Sequence, residues 1–245
     1  YHLQARRIIR LHTRRATDNA EYLNNCAISL DPDSPYGHMG MGYVLRNHLA
    51  HNWHTETRER TIRQAVRYSE KALELSLYDY SCHFVRAQLL MQEYRLKEAT
   101  LRFERAIELN PVSPNLHVAR AEALFRLGDI ATAREACEDV VENFVRTPDW
   151  FYWTLSRILW ADGDTEKALL TMQRMAIIPP AAKLQLAVLA NDAGKPDQAR
   201  NALAEFRKEH SHHLRLDEIA TQKRLGMQDR LLERWEAALA NAGMH

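Results

Sequence analysis

The feature that most constrains this chain is an internal repeat of about 34 residues. Three segments superimpose on alanines that lie 34 residues apart: "RQAVRYSEKALEL" (63–75) on Ala65, "KEATLRFERAIEL" (97–109) on Ala99 and "ATAREACEDVVEN" (131–143) on Ala133. The series extends back to Ala20 and forward to Ala168 and Ala199. A period of this length is typical of stacked helical hairpins, because one hairpin cannot bury its apolar face alone.

Two further markers follow the same period. The pairs Gly128-Asp129, Gly163-Asp164 and Gly194-Lys195 each stand a few residues before a repeated alanine, and Pro32 and Pro111 close "ISLDPDSP" and "IELNPVSP". Each period contains two amphipathic stretches with apolar residues at helical spacing, and the first stretch stops at the glycine. No stretch alternates with a period of two for long enough to form a strand. The sequence therefore predicts an all-α solenoid of helix pairs with a concave surface.

The motif Ala-x3-Phe-x2-Ala-x4-Pro, formed by Ala99, Phe103, Ala106 and Pro111, resembles the second helix of a tetratricopeptide (TPR) repeat. The resemblance implies a right-handed superhelix of about five to six helix–turn–helix repeats. One position of the first helix holds a small residue in every repeat that can be aligned; these residues are Gly42, Ala87, Ala121, Ser156 and Ala187. The tryptophan slot of the first helix holds His38, His83, His117, Tyr152 and Lys183. The phenylalanine slot also holds Asn24, Ser69, Cys137, Met172 and Leu203.

Aligning these markers divides the chain into repeats and a C-terminal cap. The repeats are expected within residues 1–211, at 1–33 with a shortened first helix, 34–78, 79–112, 113–147, 148–179 and 180–211. Residues 212–245 depart from the pattern and are expected to form capping helices that cover the end of the solenoid. The last of them would carry Leu231, Leu232, Trp235 and Leu239 and stop at Gly243.

One repeat is longer than the others, because Ala20 and Ala65 are 45 residues apart. We assign the extra eleven residues or so to an inserted loop at 48–60, or to an extended helix hairpin, with Trp53 against the neighbouring repeat. Thr55 or Thr57 would begin the next helix. This stretch contains His48, His51 and His54, and a second histidine cluster lies at His210, His212 and His213. Neither cluster has the spacing of a known metal site, so we expect no metal.

The resemblance also implies which residues line the concave wall, since TPR families place positions 2, 5, 9 and 12 of each first helix there. These positions are Tyr36, Met39, Tyr43, Arg46, Phe84, Gln88, Asn115, Val118, Glu122, Phe125, Trp150, Trp153, Arg157 and Trp160. Aromatic and arginine side chains are common at peptide-binding hot spots. The alternative interpretation is that the rings pack between repeats. The wall lacks the Lys/Asn/Arg set with which some TPRs hold a terminal carboxylate.

Catalytic motifs and cofactor motifs are not found in the sequence. "GHMGMGY" (37–43) has no preceding strand and no Gly-Lys-Ser/Thr, so its glycines are interpreted as small residues in a tightly packed helix rather than a phosphate loop. There is no nucleophile elbow, no HExxH and no kinase signature. We therefore expect a non-enzymatic chain without a cofactor.

The net charge bears on the kind of partner, and the cysteines bear on the cellular compartment. The net charge is +1, which argues against direct nucleic-acid binding. Five arginines and no acid stand in residues 1–15, as a solvated helix face or as a partner patch. Three scattered cysteines indicate a reducing compartment, and no apolar run is long enough to span a membrane, so we expect a cytoplasmic protein. The chain starts at Tyr1 rather than methionine, which suggests a piece of a longer polypeptide.

The order of features resembles the C-terminal TPR regions of bacterial signalling proteins in which a class III adenylate/guanylate cyclase domain or a winged-helix domain precedes the repeats. The matching stretches are "AISLDPDSPYGHMGMGYVL", "AVRYSEKALEL", "PDWFYWTLSRILWADGDTEKAL" and "RLLERWEAALANAGM". The resemblance implies an interaction and regulatory module that binds a protein or peptide, or that self-associates as a homo-oligomer. The alternative is the sensor or assembly domain of a winged-helix activator, and a free-standing scaffold is the third possibility.

Overall fold

The computed structural model describes residues 1–11, 13–53, 56–144, 146–210 and 212–244. Across these ranges the regular structure is entirely helical, which confirms the predicted all-α class. A short 3₁₀ turn at Ile9–Leu11 follows the first helix. The first six helices are α1 (His2–Ile8), α2 (Arg14–Leu30), α3 (Pro35–Ala50), α4 (Arg58–Leu75), α5 (Tyr80–Gln92) and α6 (Leu96–Leu109). The others are α7 (Pro114–Leu127), α8 (Ile130–Asn143), α9 (Asp149–Ala161), α10 (Thr165–Gln173), α11 (Pro180–Asp192), α12 (Pro196–Glu209), α13 (Arg215–Arg224) and α14 (Asp229–Asn241).

The chain forms two compact units, Tyr1–Leu116 (unit 1) and His117–His245 (unit 2). In unit 1, α3 packs against α4 and α5 against α6; in unit 2, α9 packs against α10 and α11 against α12. Short connections make such neighbouring helices antiparallel. No helix in the described ranges is both long enough and apolar enough to cross a lipid bilayer.

The turns inside these pairs explain the repeated Gly-Asp marker. Gly163 has a φ of +95°, and Gly128 and Gly194 take the same left-handed conformation at the equivalent place. Glycine adopts this conformation without steric cost, so it ends the first helix of a pair. The aspartate that follows caps the second helix, since the Asp164 carboxylate accepts a hydrogen bond from the Lys167 amide at 3.3 Å.

The repeated positions are the places where helices touch. All six alanines of the series are fully buried, namely Ala20, Ala65, Ala99, Ala133, Ala168 and Ala199. The phenylalanine slot is at most 2% exposed in every repeat, at Asn24, Ser69, Phe103, Cys137, Met172 and Leu203. Small residues let two helix axes approach, and the slot residue fills the space that remains. The prediction that these positions are closely packed is confirmed.

Close packing also accounts for the glycines of "GHMGMGY". A Cβ atom on Gly40 would lie 2.1 Å from the Asn24 Oδ1 atom of α2, and one on Gly37 would lie 2.7 Å from Ile28. On Gly42 it would lie 3.0 Å from a methyl group of Val85 in α5. The glycines therefore let α3 lie close to helices on two sides, as predicted.

The long repeat does not contain a long loop. α3 has 16 residues and α4 has 18, whereas α5 and α6 have 13 and 14. The connection between α3 and α4 covers only residues 51–57, so it is shorter than the predicted insertion at 48–60, and most of the added sequence extends the two helices. The extension is favourable because His48 and Leu49 are buried and Thr57 caps α4 through a 3.3 Å bond from the Arg60 amide. The alternative start at Thr55 lies outside the described residues.

The C-terminal helices differ from the repeats. α13 buries a single side chain, Glu218. α14 buries Leu231, Trp235 and Leu239, ends before Gly243 with a φ of +93°, and packs against α11, the first helix of the last pair. The apolar face predicted for the last helix is therefore covered.

Candidate functional site

The part of the predicted wall that belongs to unit 1 is an aromatic surface on α3 and α5. The rings of Tyr43 and Phe84 are 6.3 Å apart, and Phe84 also contacts Phe103 at 5.8 Å. Burial raises the pKa of the Tyr43 hydroxyl well above its ordinary value. Tyr36, at the start of α3, stays 47% exposed, and Gln88 is half-buried. An exposed ring next to half-buried ones can contact a ligand without unfolding the helices.

Arg46 is the charged member of this surface. Its Nη2 atom donates a 2.8 Å hydrogen bond to the Asn47 side chain, whereas its Nε atom has no partner. Among the described residues no carboxylate forms an ion pair with it, and burial lowers the pKa of its guanidinium. A half-buried cation without a counter-charge can accept an anionic group from a ligand.

The corresponding surface of unit 2 lies mainly on α9. Trp150, Trp153 and Arg157 follow one another at spacings of three and four residues, which places them on one face of the helix. Trp150 is 38% exposed, and Trp153 and Arg157 are half-buried. The Trp153 Nε1–H group has no hydrogen-bond partner within the described protein.

Glu122 connects this face to α7. One of its carboxylate oxygens accepts hydrogen bonds from Arg157 at 2.9 Å and from Arg126 at 2.8 Å. Burial alone would raise the pKa of Glu122, but the two guanidiniums outweigh it, so the pKa is lower than usual. Arg157 also lies over the ring of Phe125, with its guanidinium carbon 5.2 Å from the ring centre. The wall of unit 2 thus combines an internal ion pair with an open aromatic face.

Four of the predicted wall residues are core residues instead. Met39, Val118, Phe125 and Trp160 are each at most 4% exposed. The resemblance identifies the face of a helix, but the degree of burial depends on what covers that face. Arg157 covers Phe125, and Trp235 from α14 covers Trp160. The remaining positions are partly or well exposed, including Asn115 at the start of α7, and their role in binding stays a prediction.

Three residues of this region were not predicted: Arg126, Asp192 and Arg234. Arg126 could have been found, because it stands four residues after Glu122 on one helix. The pair Asp192 and Arg234 could not, since the two residues are 42 positions apart and lie outside the repeat pattern.

The two histidine clusters have separate partners. His48 Nε2 lies 3.5 Å from a Glu21 oxygen, whereas His51 stacks on Trp53 with ring centres 4.3 Å apart. In the second cluster His213 Nε2 is 3.1 Å from Glu218, and His210 stacks on Phe206. His54 lies outside the described residues. Within the described ranges no three His, Cys, Asp or Glu side chains are grouped to hold a metal ion.

A polar cleft of about 600 Å³ opens elsewhere in unit 1, between α2, α3 and α4. Glu21, His38, Arg67 and Tyr68 are among its lining residues, and none of the fourteen predicted wall residues is. The cleft therefore belongs to a different face of the helices from the predicted wall.

Family comparisons agree with the helix arrangement. Residues 84–149 and residues 181–213 each match a family model described as a tetratricopeptide repeat. No curated protein sequence matches the chain.

Several solved structures share the fold. The PilF structure from Pseudomonas aeruginosa is 16% identical with a TM-score of 0.60, and the match covers 90% of this chain and 97% of that one. A thermophilic TPR protein of Thermus thermophilus is 15% identical with a TM-score of 0.56, over 82% and 96% of the two chains. A chain of the APC/C hetero-tetramer Cut9–Hcn1 is 14% identical with a TM-score of 0.71, over 98% of this chain and 45% of that one. At these identities the likeness concerns the fold alone. The helix pairs, the buried repeat positions and these matches show a solenoid of the tetratricopeptide type, with tetratricopeptide repeats matched at residues 84–149 and 181–213.

Proposed function

We propose that this chain is a non-catalytic protein–protein interaction module, and that it binds a peptide or protein segment on the first-helix faces of its repeats. The observation that carries the proposal is the α9 face, where Trp150, Trp153 and Arg157 lie side by side and only partly covered. Tryptophan and arginine are the residue types most enriched at binding hot spots.

The polar groups of this face support the same conclusion. Trp153 Nε1 and Glu122 Oε2 are shielded from water but have no hydrogen-bond partner in the described protein. Native proteins satisfy most buried polar atoms, so an unpaired donor and an unpaired acceptor on one wall call for a partner. A peptide backbone carries both an acceptor and a donor, and small side-chain rotations are common when partners bind.

The experiment is a capture with the tagged chain from lysate of the source cells, analysed by mass spectrometry. The variant Trp153→Ala/Arg157→Ala should lose at least one protein that the wild type retains. A matched control is Leu170→Ala/Arg200→Ala, which removes an exposed apolar residue and an exposed arginine from the second helices α10 and α12. The control should retain every captured protein.

Circular dichroism of both variants establishes that they remain folded at the capture temperature. If the Trp153/Arg157 variant captures the same proteins as the wild type, the α9 face is not the binding surface and the proposal is wrong. If both variants lose the same proteins, the loss is not specific to this face and the proposal is equally unsupported.

We also propose that the module serves a bacterial signalling protein and follows a nucleotide-cyclase domain. The support is the resemblance of the four stretches quoted above to such C-terminal regions. A winged-helix activator is the alternative, and the exposed arginines of residues 1–15 would suit a segment close to a DNA-binding domain. Reading the coding sequence upstream of Tyr1 decides the matter, because a cyclase domain supports the first arrangement and a winged helix the second.

A further inference from the structure

The last helix, α14, lies across the ends of three successive first helices of unit 2. Gln228, just before α14, comes so close to Gly128, just after α7, that a Cβ atom there would be 2.0 Å from the Gln228 amide nitrogen. Trp235 meets Trp160, near the end of α9, edge to face with ring centres 5.6 Å apart. Arg234 reaches Asp192, the last residue of α11, at 2.8 Å. A helix that only covered the end of a solenoid would contact the last pair alone.

A polar network fixes the position of α14. One oxygen of Asp192 accepts hydrogen bonds from Trp160 Nε1 and from Arg234 Nε, both at 2.8 Å. The Arg234 guanidinium also donates to the Trp160 carbonyl oxygen and to the Thr165 hydroxyl, each at 2.9 Å, and lies 4.6 Å above the Trp160 ring. These contacts use all three guanidinium nitrogens, so the surface recognises an arginine at this point of the helix and not merely an apolar stripe.

The apolar side of α14 has the spacing of a helix bound in a groove. Leu231, Trp235 and Leu239 are spaced by four residues and are at most 6% exposed, and Ala238 and Ala242 complete the stripe. Helix-in-groove recognition uses anchors at this spacing. Trp160, which the resemblance places on the partner-binding wall, is therefore covered by a segment of the same chain.

The segment that connects α14 to the repeats is weakly anchored. α13 buries only Glu218, while Leu214 just before it and Leu216 within it are 55% and 72% exposed. Gly226, between α13 and α14, has a φ of +82°, a left-handed conformation that glycine adopts without steric strain. The docking of α14 thus depends on its own contacts with α9 and α11, together with its packing against α13.

We propose that the ends of α9 and α11 form a binding site for an amphipathic helix, that α14 occupies this site in the free chain, and that a partner helix displaces it. The partner helix would carry an arginine followed by an aromatic residue, with leucines four residues before and after that aromatic residue, as α14 does. This inference rests on the proposed function, since it names the kind of partner and the regulation of the same wall. Binding of the partner and docking of α14 exclude each other.

The test uses the full chain and a fluorescent synthetic peptide of residues 227–244. In the wild type the tethered α14 competes at a high effective concentration, so the peptide should bind weakly. Arg234→Ala should free the site and bind the peptide at least about tenfold more tightly, because the peptide still carries the arginine. In Arg234→Ala, hydrogen–deuterium exchange of residues 229–241 should be faster than in the wild type, whereas the protection of α10 and α12 should be unchanged. Arg230→Ala, an exposed position on the same helix, is the matched control and should behave as the wild type.

Three results would overturn the proposal. In one, α14 stays protected even in Arg234→Ala/Trp235→Ala. In another, its release removes protection throughout α9–α12, which makes it an integral part of the unit. In the third, α14 is released but the peptide does not bind. None of these measurements involves the Trp153/Arg157 face, so a negative capture experiment with a positive peptide result would reject the proposed function without rejecting the helix site.

Discussion

Arg157 lies 2.9 Å from the Glu122 carboxylate and 5.2 Å above the ring of Phe125, so one side chain joins α9 to α7 by charge and by ring contact. The same arginine is part of the face that we propose binds a partner. Its guanidinium is therefore held in a fixed orientation before any partner arrives, which lowers the entropy lost on binding.

Glu122→Gln should lower the free energy of unfolding by about 1–3 kcal/mol, because it leaves two half-buried arginines without a counter-charge. Urea denaturation monitored by circular dichroism measures the change. Glu135→Gln, an exposed position on α8, is the control and should change stability by less than about 0.5 kcal/mol. Equal stability of the two variants would contradict the role of the Glu122 ion pairs.

Acidification should weaken the same interaction. Burial opposes ionisation of Glu122, but Arg157 and Arg126 lower its pKa in the folded chain below the ordinary value of 4.5. The stabilisation is therefore complete above pH 4.5 and is lost as the pH falls through the folded-state pKa. Urea midpoints measured between about pH 7 and about pH 3.5 should fall more steeply for the wild type than for Glu122→Gln. Parallel profiles would show that Glu122 does not contribute this pH dependence.

Gly40→Ala should destabilise the chain by about 1–3 kcal/mol, because the new Cβ atom would overlap the Asn24 side chain in a closely packed interface. Asn24→Ala removes that side chain together with its 2.8 Å hydrogen bond to the Ala20 carbonyl oxygen. The double variant should lose less stability than the sum of the two single losses, since each substitution relieves or accommodates the other. A strictly additive double-mutant cycle would exclude the predicted contact.

Gly163→Ala should cost about 1–2 kcal/mol, because Gly163 has a φ of +95° and an L side chain is strained there. A Cβ atom at this position has open space around it, so the loss reports backbone conformation alone. Gly163→Asn is the control and should lose less, since asparagine tolerates left-handed backbone and Asn52 adopts it in the α3–α4 connection. Thermal denaturation of the three proteins checks the order, and a more stable alanine variant would contradict it.

The cysteines should differ sharply in reactivity. Burial raises the pKa of Cys82 and of Cys137 to about 12, whereas Cys26 is partly exposed. At about pH 8 an aromatic disulfide reagent should modify one thiol quickly in the native chain and all three in denaturant. Cys26→Ser should remove the fast phase, and a fast phase that survives this substitution would show that a buried cysteine is reached by local opening.

The sequence correctly predicted the structural features that recur once in each repeat. Ala99 marks a contact position that recurs every 34 residues or so, and close helix contact there requires a small residue in each repeat. Glycine marks three inner turns, at Gly128, Gly163 and Gly194, because a left-handed residue is needed there; Asn52 and Tyr94 take this conformation in two other turns, where no repeated glycine indicates it. The length of the α3–α4 connection was not visible, since an amphipathic extension of two helices and a polar loop can have similar composition.

The candidate site was predictable only in part. The first-helix spacing places Trp153 and Arg157 on one face, but it does not say what covers Trp160. That depends on α14, whose Arg234 contacts Asp192 across 42 residues, a separation that does not follow the 34-residue period. A contact that occurs once and joins distant parts of the chain produces no pattern in a single sequence.

The position that holds phenylalanine in one repeat holds asparagine, serine, cysteine, methionine or leucine in the others. The residue that packs against this position differs with it. Asn24 faces Gly40, while the Met172 sulfur lies 3.8 Å from the Ser156 hydroxyl. The repeats are consequently not interchangeable parts. A recombinant chain with two second helices exchanged would keep every amphipathic stripe, yet its junctions would either clash or leave voids, so the linear order of the hairpins is itself encoded in side-chain volume.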